Sequence, residues 1–301
     1  MPKHHIKKER EERRAHRRVE HSAERRRGTL KAGVRFLAVV LLAFAGYSSL
    51  VEPRMVKVTE HEVPIQGLPW AFDGFTIVQV SDLHVGLWSK PGGVRKIVKR
   101  VNALRPDMVV LGGDYVTRSA TNCEPAGKAL AGLKATHGVY AVLGNHDYWV
   151  DAEGVTEALR ESGIDVLFDE KRRISVGNED IWLVGTDDEW EGEPDYEKAF
   201  EGVSPGDICI VLAHNPDAVL SMKGRTVSLL LSGHTHGGLV NLPWVGPLLT
   251  ITKLGPAYAS GMHSVHGIRV YISRGVGLIT PPLRFRCPPE IPVFTLRRVE
   301  K

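Results

Sequence analysis

Eight polar side chains could act on one substrate if the fold brings them together: Asp82, His84, Asp114, Asn145, His146, His214, His234 and His236. Pooled, they supply two carboxylates, one amide and four or five imidazoles, His146 being the fifth. Imidazole with carboxylate suits zinc, iron, manganese and similar transition ions. So many donors exceed the needs of one ion and suit two. Two cations about 4 Å apart, bridged by a shared carboxylate, activate a water held between them and clamp a phosphoryl group. Two divalent ions and two carboxylates leave a charge of about +2, which attracts phosphate oxygens. The stretch Gly144-Asn145-His146-Asp147 also has a plainer reading. There Gly144 lets the chain leave a strand sharply, and Asn or Asp caps the turn before a helix.

The elements that must position these groups are short apolar runs. Strands are expected over 54–65, 75–80, 107–111, 139–143, 166–168, 173–176, 181–184, 208–213, 227–231, 268–273 and 293–297, with a turn at Gly177-Asn178. Helices are expected over 91–104, 126–133 and 155–160; in the first, Val94, Ile97, Val98 and Val101 share one face. The charged stretch 187–196 reads as exposed. Five of the strands run straight into the polar residues named above. In α/β sheets, ligands sit beyond the carboxyl ends of strands, so five separate segments would converge on one place. The order of elements suggests two sheets packed together and covered by helices.

Asp82-Leu83-His84, Gly113-Asp114, Gly144-Asn145-His146-Asp147, His214 and Gly233-His234-Thr235-His236 resemble, in order, the motifs of calcineurin-like metallophosphoesterases. The resemblance covers roughly residues 74–295 and implies a four-layer α/β/β/α sandwich of two mixed sheets around a binuclear metal centre. It implies one divalent ion on Asp82, His84, Asp114 and His236, and a second on Asp114, Asn145, His214 and His234, with Asp114 bridging. It implies that a metal-bound hydroxide attacks phosphorus. His146 would not be a ligand. It would face the phosphate as the catalytic side chain, stabilising the transition state or protonating the leaving group. Asp147 would either orient His146 or cap the following turn. Gly237-Gly238, Lys253-Leu254-Gly255, Ser273-Arg274-Gly275-Val276-Gly277 and the run 284–290 resemble a membrane-associated bacterial branch of the family. Gly113-Asp114-Tyr115-Val116-Thr117-Arg118 lacks the second Asp and the Arg-Gly of the family's protein phosphatases, which disfavours a phosphoprotein substrate.

The chain has 301 residues and a net charge of +4, unevenly spread. Residues 1–35 hold thirteen Lys or Arg against five Glu, a balance of +8, so the remainder carries −4 and offers no basic groove for nucleic acid. That basic tail reads as solvated. Residues 36–51 follow, sixteen without a charge, and read as a single-pass membrane anchor. Positive charge on its N-terminal side places the domain over 54–299 outside the cytoplasm. The alternatives are a cleaved twin-arginine-like signal, with Arg26-Arg27-Gly28-Thr29-Leu30-Lys31 and a site at Ala43-Phe44-Ala45, or a buried helix. Cys123, Cys209 and Cys287 form no CxxC and suggest neither a disulfide framework nor a structural zinc site.

Arg274 could contact a substrate phosphate or form a surface salt bridge. His137, His263 and His266 fall in expected turns, away from the ligand set. Trp88, Trp149 and Trp190 read as core or rim, or as lining of a cleft. The apolar, Pro- and Gly-broken run 239–249 either covers core or forms a greasy lip beside the metals, suited to a lipid-linked substrate at a membrane. The expected activity is a metal-dependent phosphoric ester hydrolase acting on phosphodiester, phosphomonoester or pyrophosphate bonds. A pyrophosphatase of UDP-diacylglucosamine is the narrower alternative, and it would need a cytoplasmic site. A non-catalytic metal-binding scaffold is the alternative from another class.

Overall fold

The structure is a computed structural model that describes residues 3–300. It divides into two compact units, Met1–Tyr47 and Ser48–Lys301. The first is a single helix, α1 (Lys3–Gly46), so the basic segment and most of the apolar run form one element. Its apolar side chains are open: Phe36 and Leu42 are 72% and 73% exposed. Within Arg25–Arg54 the chain is helical, long and apolar enough to cross a membrane.

The second unit runs β1 (Lys57–Gln66), β2 (Thr76–Val80), α2 (Pro91–Leu104), β3 (Met108–Leu111), α3 (Cys123–Leu130), β4 (Val139–Ala141), α4 (Asn145–Val150), α5 (Ala152–Glu161) and β5 (Asp165–Val166). It continues with β6 (Glu170–Val176), β7 (Glu179–Gly185), α6 (Tyr196–Ala199), β8 (Cys209–Leu212), α7 (Ala218–Ser221) and β9 (Leu229–Ser232). The last strands are β10 (Asn241–Leu242), β11 (Gly246–Pro247), β12 (Gly261–Val265), β13 (Ile268–Ile272) and β14 (Glu290–Val299). Two six-stranded mixed sheets result, in the orders β1-β14-β2-β3-β4-β5 and β12-β13-β9-β8-β7-β6. In the first, β2 to β5 are parallel and β14 runs against β2. In the second, β13, β9, β8 and β7 are parallel, and both edge strands are antiparallel.

Strand alternation divides the core into the interfaces of a four-layer α/β/β/α sandwich. Val78, Val80, Val109 and Leu111 face α2, α3 and α5. Ile77, Met108 and Val110 face the other way, onto Ile210, Leu212, Leu229 and Leu231 of the second sheet. Cys209, Val211, Leu230 and Val270 cover the outer side with Ala199, Ala218 and Val219. Strands buried on both faces must be apolar throughout, which is why β3, β8 and β9 are continuous hydrophobic runs. The fourth layer is thin, since α6 and α7 have four residues each.

Two local expectations are corrected. The helix expected over 126–133 begins and ends earlier, at Cys123–Leu130, because Pro125 fits its first turn, where an N–H has no helical partner. His263 lies on β12 and not in a turn. The three cysteines are all free and buried.

Helices α3 and α5 meet through Gly127, where an added Cβ would lie 2.8 Å from the Ala158 carbonyl carbon. Gly127→Ala is therefore expected to lower stability by about 1–3 kcal/mol in urea unfolding, despite the better helix propensity of Ala. An unchanged midpoint would contradict this packing.

Candidate metal centre

All five expected strand ends open onto one place. β2, β3 and β4 deliver Asp82 with His84, Asp114, and Asn145 with His146 from the first sheet; β8 and β9 deliver His214 and His234 with His236 from the second. The loops beyond the strands are tied to one another. His84 N–H donates to the Asp114 carbonyl at 2.9 Å, Gly233 N–H to the His214 carbonyl at 2.9 Å, and His234 N–H to Asp82 Oδ1 at 3.0 Å. Asp82, His84, Asp114, His234 and His236 all take left-handed backbone conformations, with φ between 47° and 70°. Such conformations cost side-chain-bearing residues about 1 kcal/mol or more each, and they collect at functional sites.

The side chains form two groups that share one atom. His84 Nε2 lies 2.9 Å from His236 Nε2 and 3.4 Å from Asp114 Oδ2, and His236 Nε2 lies 3.5 Å from Asp82 Oδ1. These four residues could hold a metal ion. On the other side, Asp114 Oδ2 lies 3.3 Å from His214 Nε2; His234 Nδ1 then lies 3.3 Å from His214 Nε2 and 3.0 Å from Asn145 Oδ1. Bonds of about 2.1 Å to one ion put neighbouring donors roughly 3.0–3.4 Å apart, so the spacings match coordination edges.

Protonation agrees with ligation. Burial pushes His84 and His234 each down to about 3 and holds His236 well below the usual range, so these rings are neutral with a free lone pair. The Nδ1 atoms of His84 and His236 have no partner, although both rings are buried. His214 is fixed from behind: its Nδ1 donates to the Gly112 carbonyl at 2.6 Å, which turns Nε2 to Asp114, and the proton that Asp114 holds there is the one a metal ion would displace. Burial raises Asp82 to about 6, and a cation would reverse that penalty. The donor set fits divalent metal ions.

Asp147 does not touch His146. Its Oδ2 accepts from Asp114 N–H at 2.8 Å and Gly144 N–H at 3.0 Å; its Oδ1 accepts from Tyr115 N–H at 2.8 Å and Val116 N–H at 3.2 Å. It caps α4 and pins the loop that carries Asp114. Gly144 has an ordinary extended backbone, with φ −119°. The reason for glycine there is close approach, since an added Cβ would collide with Asp114 Oδ1 and lie 2.8 Å from His214 Cδ2.

His146 stands at the mouth. Its ring is edge-on to His84 and packs on Trp149, with centroid distances of 4.6 Å in each case. Its N–H donates to Asp114 Oδ1 at 2.9 Å, and burial lowers its pKa. Trp190 meets His234 edge-on at 4.3 Å. The stretch 187–196 is exposed at Trp190, Glu191, Glu193 and Asp195, as expected, but its start is folded in: Asp188 is buried and accepts the N–H groups of Trp190 and Glu191, both at 3.0 Å. A run of acids next to tryptophan was the one sequence signal for a folded loop at this position. Trp88 lies elsewhere, with its Nε1 donating to Thr280 Oγ1 at 3.2 Å.

Arg274 forms a salt bridge, but with a buried partner and not at the surface as expected. Its guanidinium pairs with buried Glu290, and its stem lies against Gly237. Fully buried Arg284, which the sequence marked only as part of a motif, donates to the carbonyls of Arg274 at 2.9 Å and Gly277 at 2.9 Å. It thereby clamps the loop that packs on Asp82, where Gly277 N–H donates to the Asp82 carbonyl at 2.8 Å.

Residues 75–238 match the model of the calcineurin-like phosphoesterase family. The chain is 35% identical over 256 residues to the uncharacterized metallophosphoesterase YkuE of Bacillus subtilis, covering 84% of this chain and 89% of that protein. It is 31% identical over 259 residues to the phosphodiesterase YaeI of Escherichia coli, covering 83% and 92% of the two chains. It is 32% identical over 276 residues to a transmembrane protein with metallophosphoesterase domain of Danio rerio, covering 87% of this chain and 62% of that one. The chain belongs to the calcineurin-like metallophosphoesterase family.

Asp147→Asn keeps the size but turns an amino group toward buried N–H donors. It is expected to cost about 3 kcal/mol in denaturant unfolding of the metal-stripped protein. A loss below about 1 kcal/mol would contradict the pinning role.

Proposed function

We propose that this protein is a membrane-anchored hydrolase of phosphoric esters that uses two divalent ions, such as manganese, iron or zinc. One ion would be held by Asp82, His84, Asp114 and His236; the other by Asp114, Asn145, His214 and His234. The observation that carries this reading is the position of Asp114 Oδ2, 3.4 Å from one ring nitrogen of the first group and 3.3 Å from one of the second. Ions bound there supply Lewis acidity toward a phosphoryl group and an acidified water.

The chain's own part is positioning and proton transfer. Bonds to and from the backbone hold the donors in place (His214 Nδ1 to the Gly112 carbonyl, His84 N–H to the Asp114 carbonyl and His234 N–H to Asp82 Oδ1), so little reorganisation would accompany substrate binding. His146, neutral and half-buried, lies outside both groups but against His84. From there its ring N–H would stabilise charge on the phosphoryl oxygens or, once an anionic phosphate beside it has favoured the imidazolium form, it would give a proton to the leaving oxygen. Trp149 and Trp190, 55% and 41% exposed, would wall the cleft on either side.

The substrate would be a phosphodiester, phosphomonoester or pyrophosphate. A lipid-linked one is favoured by the β10–β11 hairpin. Pro247 packs on Gly238, two residues beyond His236, while Trp244 at the tip is fully exposed and Val245 is 70% exposed. An aromatic tip beside the candidate centre suits a bilayer interface. Residues 1–35 would be the cytoplasmic tail and 36–51 the anchor, with the domain on the extracytoplasmic side. That orientation disfavours UDP-diacylglucosamine as substrate, and the full complement of seven ligands disfavours an inert scaffold.

Hydrolysis of bis-p-nitrophenyl phosphate with added manganese tests the reading. His146→Ala is expected to lower kcat roughly 10²–10⁴-fold with metal content unchanged, and Asp114→Asn to abolish turnover. Wild-type turnover no greater than that of these two variants would sink it.

A further inference from the structure

The second unit contains a cavity of about 560 Å³ between residues 49–56 and the first half of α2. None of the eight candidate site residues lines it. We propose that this cavity binds an anionic glycerophospholipid, with acyl chain inside and phosphate at the rim.

Its lining has two characters. Leu50, Val56, Leu83, Ile97 and Leu278 form an apolar wall. Arg54, Lys90, Lys96 and Arg100 form a cationic rim, and no Asp or Glu is among the lining residues. All four cations are exposed, in a domain whose formal charge is negative. Three of them donate to backbone carbonyls and not to carboxylates: Arg54 to Leu50, Lys90 to Gly86 at 2.9 Å, and Arg100 to Val56 at 3.0 Å. Each keeps its full charge for an anion. Helix α2 begins beside them at Lys90, whose side chain makes no capping hydrogen bond, so the positive end of the helix adds to the rim.

A soluble phosphate compound would satisfy the rim and leave the apolar wall wet. A neutral lipid would satisfy the wall and leave four cations unanswered. An anionic glycerophospholipid satisfies both. Its source is also at hand, because Ser49, Leu50, Pro53 and Arg54 of the lining belong to the stretch Arg25–Arg54 that is apolar enough to cross a membrane. The cavity shares a wall with the candidate metal centre. Leu83 stands between Asp82 and His84, and Gly277 packs so closely that an added Cβ would lie 2.6 Å from the Leu83 carbonyl carbon. An occupant would therefore press on the peptide that carries two candidate ligands.

The test uses the full chain in nonionic detergent and reads binding, so it is independent of any hydrolytic activity. Brominated phosphatidylglycerol is titrated in, and quenching of tryptophan fluorescence is followed; Trp88 lines the cavity. Saturable quenching is expected, and Trp88→Phe should remove most of it. The double variant Lys90→Glu/Lys96→Glu should raise the half-saturating concentration about tenfold or more, since each cation near a lipid surface contributes about 1 kcal/mol. Gly93→Leu adds bulk at the cavity from a helical position where an added Cβ meets nothing within 4 Å, and with an unchanged circular dichroism spectrum it should abolish saturation. Brominated phosphatidylcholine should need at least about tenfold more lipid. Equal quenching by phosphatidylcholine, displacement by millimolar inorganic phosphate, or unchanged titrations of the two lining variants would each overturn the proposal.

Discussion

One buried carboxylate oxygen organises this molecule. Asp114 Oδ2 is faced by an imidazole from each sheet, its Oδ1 accepts the His146 N–H, and its own N–H is held by Asp147. Carboxylates and imidazoles buried this deeply are costly unless opposite charge or metal answers them. Without cations the conflict shows in the titration: burial opposes charge on His214, yet Asp114, Asp82 and Asp188 hold its pKa well above the usual range. Burial likewise opposes charge on Asp114, while His214 and His84 draw its pKa well below. Divalent ions would replace that shared proton and couple binding to folding.

The surrounding fold can be understood as the means of sustaining that arrangement. Parallel strands buried on both faces give rigid ends, and five non-glycine residues at those ends adopt left-handed backbones. Strain of this kind persists only where neighbours over-determine the geometry. Asp147 supplies part of that constraint with four accepted N–H bonds, and Arg284 supplies another part from beneath the Asp82 loop. Neither residue is a candidate ligand, and both are buried in service of the ligand positions.

Much of this was legible in the sequence because apolar runs ending in Asp, Asn or His are local patterns. Helix α2 and strands β2, β3, β8 and β9 could be read within a residue or two, since their burial forces continuous or periodic hydrophobicity. The same pattern placed all eight polar residues at strand ends. What could not be read was side-chain geometry across distant segments. Gly144 suggested a backbone turn, whereas it is needed for close approach to Asp114 and His214. Asp147 is adjacent to His146 in sequence yet bonds to the Asp114 loop thirty-odd residues away. In the acidic stretch 187–196 the charge pattern gave the exposed Glu191, Glu193 and Asp195 but not Asp187 and Asp188, whose carboxylates turn back onto the N–H groups of the stretch itself. Strand β12 was missed because two of its five residues are exposed and its sequence carries Gly, His and Ser.

In the proposed centre two ions share Asp114. Electron paramagnetic resonance of the protein reconstituted with manganese tests it most directly. Two manganese ions per chain are expected, with an exchange-coupled signal that Asp114→Asn removes. A single ion per chain, or two ions giving only uncoupled signals, would contradict it.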